Sequence, residues 1–504
     1  MKISPKESIP NRFLSDRSTS TWIRVVLVAG VLIVLVCLPA SSPVSAASVW
    51  YVDDDNCPGP GTGTVGDPFC MLATAISAAA PDDIIYMRAG TYGGGHLITK
   101  ALWIVGLDSA DTVIIDGGAT DRGFFISGAT VFLSHLTIQN GGGVTNGGGI
   151  HVYTSSDVTL NDVTIKDSSA TDSGGGLSVG NNSLVTTIQT DILNNSVTGT
   201  SGYGAGIFID NTSSLDMNAG SINSNTASGV DSKGGGIYTH GTLTIDGPVM
   251  IYDNEAQLAG GGLYHTGGSS VIPETSIVLN RAAGASGKGG GIYVSAPGLP
   301  VIDQVLVYAN NAYDQGGGIY TTQDLAITNS TITTNYAWNG GGIYNDLPTS
   351  DLELFNVTVT KNTSPSAPGK AAGILTLGSV TLANSIVAEN NFINCETGGS
   401  GLFTSDFYNM EDSDTCNLNS VSDFPNTAPR LGPVTDNGGN IDTHALHLGS
   451  PAINAGNPAG CNDNLGAALT VDQRGFTRPI GVRCDIGAFE HQQPYGLFLP
   501  IVLR

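Results

Sequence analysis

The sequence predicts an all-β chain wound as a parallel β-helix, and three observations carry that prediction. The first is a glycine phrase that keeps returning, at Gly147–Ile150, Gly174–Leu177, Gly204–Ile207, Gly234–Ile237, Gly260–Leu263, Gly289–Ile292, Gly316–Ile319, Gly340–Ile343 and, weakened, Ala371–Ile374. Its closing glycines, at 149, 176, 206, 236, 262, 291, 318, 342 and 373, lie 24 to 31 residues apart. A period of that size marks stacked repeats. The second is an aliphatic residue followed three places on by Asn, as in Ile192–Asn195, Ile222–Asn225, Ile251–Asn254, Ile277–Asn280, Val307–Asn310, Ile332–Asn335, Val359–Asn362 and Val387–Asn390. The third is a set of alternating runs just upstream, such as Leu325-Ala-Ile327-Thr-Asn329, rich in the Ile, Val and Thr of strands with one buried face.

Each repeat therefore holds two or three short strands and no helix to bring the chain back. Such a unit cannot bury its apolar face alone, and stacking neighbours solves that. Coils of a parallel β-helix stack at about 4.8 Å. Glycine suits a tight corner that needs φ > 0 or a close backbone approach. Asn suits the other corner, because it tolerates the left-handed region and stacked amides can hydrogen-bond along a column. A leucine-rich repeat would want many leucines where this chain has Ile, Val and Thr. A calcium-binding nonapeptide repeat would need an Asp two residues after a glycine pair, at a third of this period.

Composition narrows the function classes. Glycine makes up 69 of 504 residues, about double the usual share of roughly 7%. Only 12% of residues are charged, and the net charge is −24. That balance excludes nucleic acid, which demands a basic face, and disfavours an anionic membrane surface. Residues 1–46 read as a signal peptide: five basic side chains up to Arg24, an apolar run from Val25 to Leu38, then the small residues Val44-Ser45-Ala46. A retained N-terminal anchor is the competing reading. Removing residues 1–46 takes five basic and two acidic side chains from totals of 19 and 43, leaving 14 against 41, a net charge of −27. No integral membrane domain is expected after cleavage, and the localisation expected is extracellular, at the bacterial cell surface. Cysteine usage agrees with export. Besides Cys37 there are six, and closeness in sequence favours the pairs Cys57–Cys70, Cys395–Cys416 and Cys461–Cys484.

In chain order, residues 47–130 form a cap and the first coils. Val49–Val52 reads as a strand running into the acidic turn Asp53-Asp54-Asp55, and 58–68 is a Gly/Pro loop. Residues 70–80 are the one good helix pattern, placed to cover the open end of the first coil. Ala89-Gly90-Thr91-Tyr92 turns into the coils. This opening, from Trp50 to Gly106, resembles that of bacterial secreted right-handed β-helix proteins of the pectate-lyase-like superfamily. The repeats of 131–394 resemble those of chlamydial polymorphic outer-membrane proteins, with Gly-Gly-Gly-Ile and Ile-x-x-Asn in place of Gly-Gly-Ala-Ile and Phe-x-x-Asn. Together these imply a right-handed parallel β-helix with a short N-terminal capping helix.

From Asn391 the phrases stop. Residues 395–428 are a polar, Asp-rich insertion. Residues 429–490 carry Asp436-Asn-Gly-Gly439, Thr443-His-Ala-Leu446, 449–456, Asp472-Gln-Arg-Gly475 and Cys484–Glu490. That order resembles the choice-of-anchor Q segment of bacterial surface β-helix proteins. The apolar tail 491–504 is too short to span a bilayer.

Pectate-lyase-like enzymes use clustered carboxylates for Ca²⁺ and an Arg or Lys base on adjacent coils. Lys233, Lys288 and Lys370 each stand one residue before a glycine cluster, but two and three coils apart, so no catalytic set emerges. The metal candidates are Asp53, Asp54 and Asp55, whose oxygens suit Ca²⁺; a solvated acidic turn is the competing reading, and no other cofactor is called for. The ligand candidates are Phe208, Tyr238, Tyr264, Tyr293, Tyr320 and Tyr344, each following the repeat's inward aliphatic residue and so expected to point outward. Such a column could hold a glycan with ring edges and hydroxyls exposed, or serve only as a stabilising aromatic ladder. The function expected is a binding or adhesive module for polysaccharide or another cell-surface component. A polysaccharide lyase or hydrolase is the alternative.

Overall fold

The computed structural model describes residues 47–296, 301–365 and 370–492. The expected leader, 1–46, lies outside the described residues, as does the tail from 493 on. The chain is a parallel β-helix in which each strand pairs in parallel with its equivalent one coil on. Among the described residues one sheet has twelve strands, running from His96–Ile98 to Cys395–Thr397. The glycine phrases open its strands. In Ile237–Thr239 the flanking residues are fully buried while Tyr238 points away from the core. The buried aliphatic residues of successive coils merge into one cluster that runs from Val52 to Leu418.

Two corners fix the coil. The first glycine of each phrase is left-handed, as at Gly316 with φ +62°. The next two are crowded, and only the third is glycine in every phrase, the second being Ala205 and Ala372 in two of them. A Cβ on Gly317 would lie 2.4 Å from the Tyr336 carbonyl oxygen and 2.5 Å from that of Gly341, on the next coil. At the other corner the expected amide column is present. Asn310 Nδ2 donates to Asn335 Oδ1 at 3.0 Å and to the Ile277 carbonyl at 2.8 Å, and its backbone N–H donates to Asn335 Oδ1 at 2.9 Å. The same pattern links Asn195, Asn225, Asn254, Asn280, Asn310, Asn335, Asn362 and Asn390. Tolerance of left-handed backbone is not why Asn stands there. The left-handed residue is the one before it, Ser224, Asp253, Leu279, Ala309, Thr334 or Lys361, with φ between 54° and 59°. Asn is required for its buried amide, which serves three coils at once.

Both ends are closed. The helix Leu72–Ala78 puts Leu72, Ala75 and Ile76 into the core at the N-terminal end, and Cys57–Cys70 ties the preceding loop to it. At the other end residues 395–428 contribute a further partial coil, with Cys395–Thr397 and Phe403–Ser405 pairing onto the strands below. Cys395 is bonded to Cys416, and both sulfurs join the core. The amide column ends here as well: Asn390 passes to Asn394, whose Nδ2 donates to Asp412 Oδ1 at 2.8 Å.

The segment 429–490, closed by Cys461–Cys484, folds back along the flank of the last coils. Gln473 reaches Val305 and Thr331, Arg478 donates to Asn329 Oδ1 at 3.0 Å, and Asn384 donates to the Asp485 carbonyl at 2.8 Å. The strands Thr331–Thr333, Thr358–Thr360 and Ile386–Ala388 are in consequence buried on both faces, whereas Thr275–Val278 alternates. Within the segment Asp472 accepts from Arg474 Nη2 at 2.6 Å and from three backbone N–H groups, and Arg478 pairs with Glu490 at 3.2 Å. His444 bridges segment and solenoid: Nδ1 meets the Gly432 carbonyl at 2.7 Å, leaving Nε2 to accept from the Thr333 hydroxyl at 3.0 Å. Burial pushes its pKa down to about 4.

Gly317→Val puts a β-branched side chain against two carbonyls and should cost well over about 1 kcal/mol, read as a lower melting temperature; an unchanged melt would contradict the crowding. His444 is held neutral in the fold, so its stabilising contribution is complete above pH 6.5 and is lost as pH falls towards 4. The stability difference between the parent and His444→Gln should therefore shrink by about 3 kcal/mol across that window. A difference that stays constant would show that His444 is not the group buried neutral.

Candidate functional site

Strand register places Phe208, Tyr238, Tyr264, Tyr293, Tyr320 and Tyr344 in one column across six coils. Adjacent centroids are 5.6, 5.2, 4.7, 4.7 and 5.6 Å apart, with planes within 22° of parallel. The rings lie outside the aliphatic core. Tyr320 and Tyr344 form a separate apolar cluster with Ala371 and Leu375, Tyr293 packing against it. The column has an earlier stretch, Phe125 stacked on His151 at 5.1 Å, broken from the rest by Ser178.

The expectation of exposed edges and hydroxyls needs correcting. Tyr264 is 6% exposed, Tyr320 2% and Tyr344 8%. The cover comes from the residues just before the glycine phrases. Single bridges align Tyr203, Lys233, Ala259, Lys288, Gln315 and Asn339 in a second column. Three of its long side chains, those of Tyr203, Lys233 and Lys288, lean over the ring one coil further on. Tyr203 lies 4.8 Å from the Tyr238 ring, Lys233 Nζ is 5.4 Å from that of Tyr264, and Lys288 Nζ is 4.7 Å from that of Tyr320. The position that would cover Tyr293 is Ala259, which is too short. Tyr293 is half-buried, as are Phe208 and Tyr238, and beside it a cavity of about 240 Å³ opens, lined by Lys233, Leu258, Ala259, Tyr264, Lys288 and Tyr293.

The hydroxyls are engaged too. Tyr320 donates to Asp346 and accepts from Lys288 Nζ at 3.1 Å, while Ser295 donates to the Tyr264 hydroxyl at 3.3 Å. Burial pushes the Tyr238 and Tyr344 phenols up to about 12 and raises those of Tyr293 and Tyr320 as well. All four stay neutral and able to donate at physiological pH.

The remaining sequence candidates are occupied elsewhere. Asp53 pairs with Arg88 at 2.8 Å and accepts from Asp55 N, and Asp54 accepts from Thr91 N at 2.8 Å. Among the described residues no three His, Cys, Asp or Glu side chains gather to hold a metal. Lys370 lies 3.6 Å from Glu396. A concavity that the sequence does not announce is a cleft of about 330 Å³ where the loop of Asp463–Leu469 meets the flank of Val301–Asp303 and Thr328. Burial raises the Asp303 carboxyl, and Asp463 nearby adds to the effect. No local pattern could have shown it, because its two walls are some 160 residues apart in the chain.

No protein-family model matches the chain, and no curated protein matches it in sequence. Solved structures do match. Pectate lyase Pel9A aligns over 89% of this chain and 98% of its own at 13% identity, with a TM-score of 0.33. XylC in complex with xylose aligns over 88% and 98% at 10% identity and TM-score 0.43. Pectin methylesterase PemA from Erwinia chrysanthemi aligns over 60% and 81% at 13% identity and TM-score 0.29.

Proposed function

We propose that this chain is an exported polysaccharide-binding module of the cell surface, and that a sugar ring seats in the opening over Tyr293. The carrying observation is the cavity at Ala259, where the column of covering side chains is interrupted beside the half-buried ring of Tyr293. A sugar has an apolar face and a rim of hydroxyls. The opening answers both, with the Tyr264 and Tyr293 rings, Leu258 and the lysine stems on one side and ammonium groups on the other. Export is supported by three disulfides, which persist in oxidising compartments, and by the expected leader. No helix among the described residues is long and apolar enough to cross a membrane.

A second reading, polysaccharide hydrolase or lyase, is favoured by the cleft at Asp303, where a carboxyl with a raised pKa beside a second carboxylate could donate a proton. One experiment addresses both. The purified mature protein should bind members of a glycan array, and Tyr293→Ser should lose at least about tenfold in affinity while lowering stability by about 1–3 kcal/mol, the worth of its two ring contacts, to Tyr264 and Tyr320. Binding unchanged in Tyr293→Ser would refute the site, and absence of any glycan binding by the parent would refute the module. Release of reducing or unsaturated sugars from the same panel, abolished by Asp303→Asn, would establish the second reading.

A further inference from the structure

The charge around the opening points to one kind of ligand; the inference rests on the reading of Tyr293 as a sugar site. The mature chain carries a net charge of −27 (14 basic against 41 acidic residues). Two of the cations beside the ring column have carboxylate partners: Lys288 lies 3.7 Å from Asp346 and Lys370 3.6 Å from Glu396. Lys233 instead lies over a ring, at the lip of the opening. Lys288 forms the opposite wall, two coils away, about 10 Å at the strand spacing. The six lining residues include no carboxylate, so a bridging cation would find no charged ligand from the protein there.

We infer that the opening selects a glycan bearing an isolated acidic sugar, whose carboxylate is held by Lys233 directly, without a bridging metal ion, Lys288 on the opposite wall being engaged by Asp346 and the Tyr320 hydroxyl. A uniformly charged polyuronate fits less well. Beyond the opening, towards the C-terminal coils, the column is flanked by Asp314, Asp346 and Glu396, whose charges reach Tyr344. These would face the neighbouring acidic units of such a chain at separations comparable to the Debye length of about 8 Å, where repulsion is incompletely screened.

The test is calorimetric titration of the full mature protein, in EDTA at low and high salt, with three probes: xylotetraose, the same oligosaccharide bearing one glucuronate branch, and tetragalacturonate. The branched probe should bind at least about tenfold tighter than xylotetraose, as a charge-assisted contact allows. That preference should fall with salt and be indifferent to EDTA. Lys233→Met should bring the branched probe down to the affinity of the neutral one. Ala259→Lys should abolish binding of all three by completing the cover over Tyr293, without loss of folded protein by circular dichroism. Equal affinity for the branched and neutral probes, tightest binding of tetragalacturonate, loss of binding in EDTA, or an undiminished preference in Lys233→Met would each overturn the inference. In the first of these cases the sugar site itself would stand. Binding of none of the three, or binding undisturbed in Ala259→Lys, would remove the site as well.

Discussion

The column of buried corner asparagines sets coil on coil in register, and everything else in this fold depends on that register. Each amide donates backward to a carbonyl of the coil before it and forward to the amide of the coil after it, as Asn310 does to Ile277 and Asn335. A slip by one residue would leave buried donors without acceptors at every level, and each such orphan costs about 1–3 kcal/mol. The column therefore converts a loose period of 24 to 31 residues into a rigid vertical alignment, with variation in repeat length thrown into the loops.

Alignment has a consequence for the surface. Wherever the repeats agree, like side chains stack into columns, and wherever one repeat departs, a gap appears at a defined height. The ring column and the column before the glycines are two such files, and the left-handed first glycine tilts one over the other. Alanine in place of a long side chain at 259 is a small change in sequence, yet a cavity opens beside it. Position in the register, rather than any special residue, creates the opening.

The remaining outer faces are handled differently. The flank of the last coils is covered by the chain's own C-terminal segment, which meets the threonines of Thr331–Thr333 and Thr358–Thr360 with Gln473, His444 and the backbone of Ala488. Both ends are plugged, by the helix Leu72–Ala78 and by the coil that Cys395–Cys416 fastens. Covering strand edges in this way suppresses pairing with other chains.

What the sequence made legible was whatever repeats or is local: the period, the glycine corners, the amide column, the short capping helix and the three cysteine pairs. Three things escaped it. The left-handed residue before each Asn points its side chain outward, so Leu279 serves as well as Ser224 and leaves no compositional trace. Simple in–out alternation put the tyrosines on the surface, but the lean of Lys233 and Lys288 is set by a turn and not by alternation. The return of 429–490 onto the flank joins residues more than a hundred apart, and nothing distinguishes Thr331 or Thr333 from any strand threonine until the partner is in place. The central claim, that the amide column holds the register, is tested most directly by the denaturant stability of Asn310→Ala. Truncation leaves the backbone N–H of Asn280 and one of its two side-chain N–H bonds, now donating to Asn310 Oδ1 at 2.9 and 3.0 Å, without an acceptor, and frees the Ile277 carbonyl. A loss of about 3 kcal/mol or more is predicted; a loss below about 0.5 kcal/mol would contradict the account.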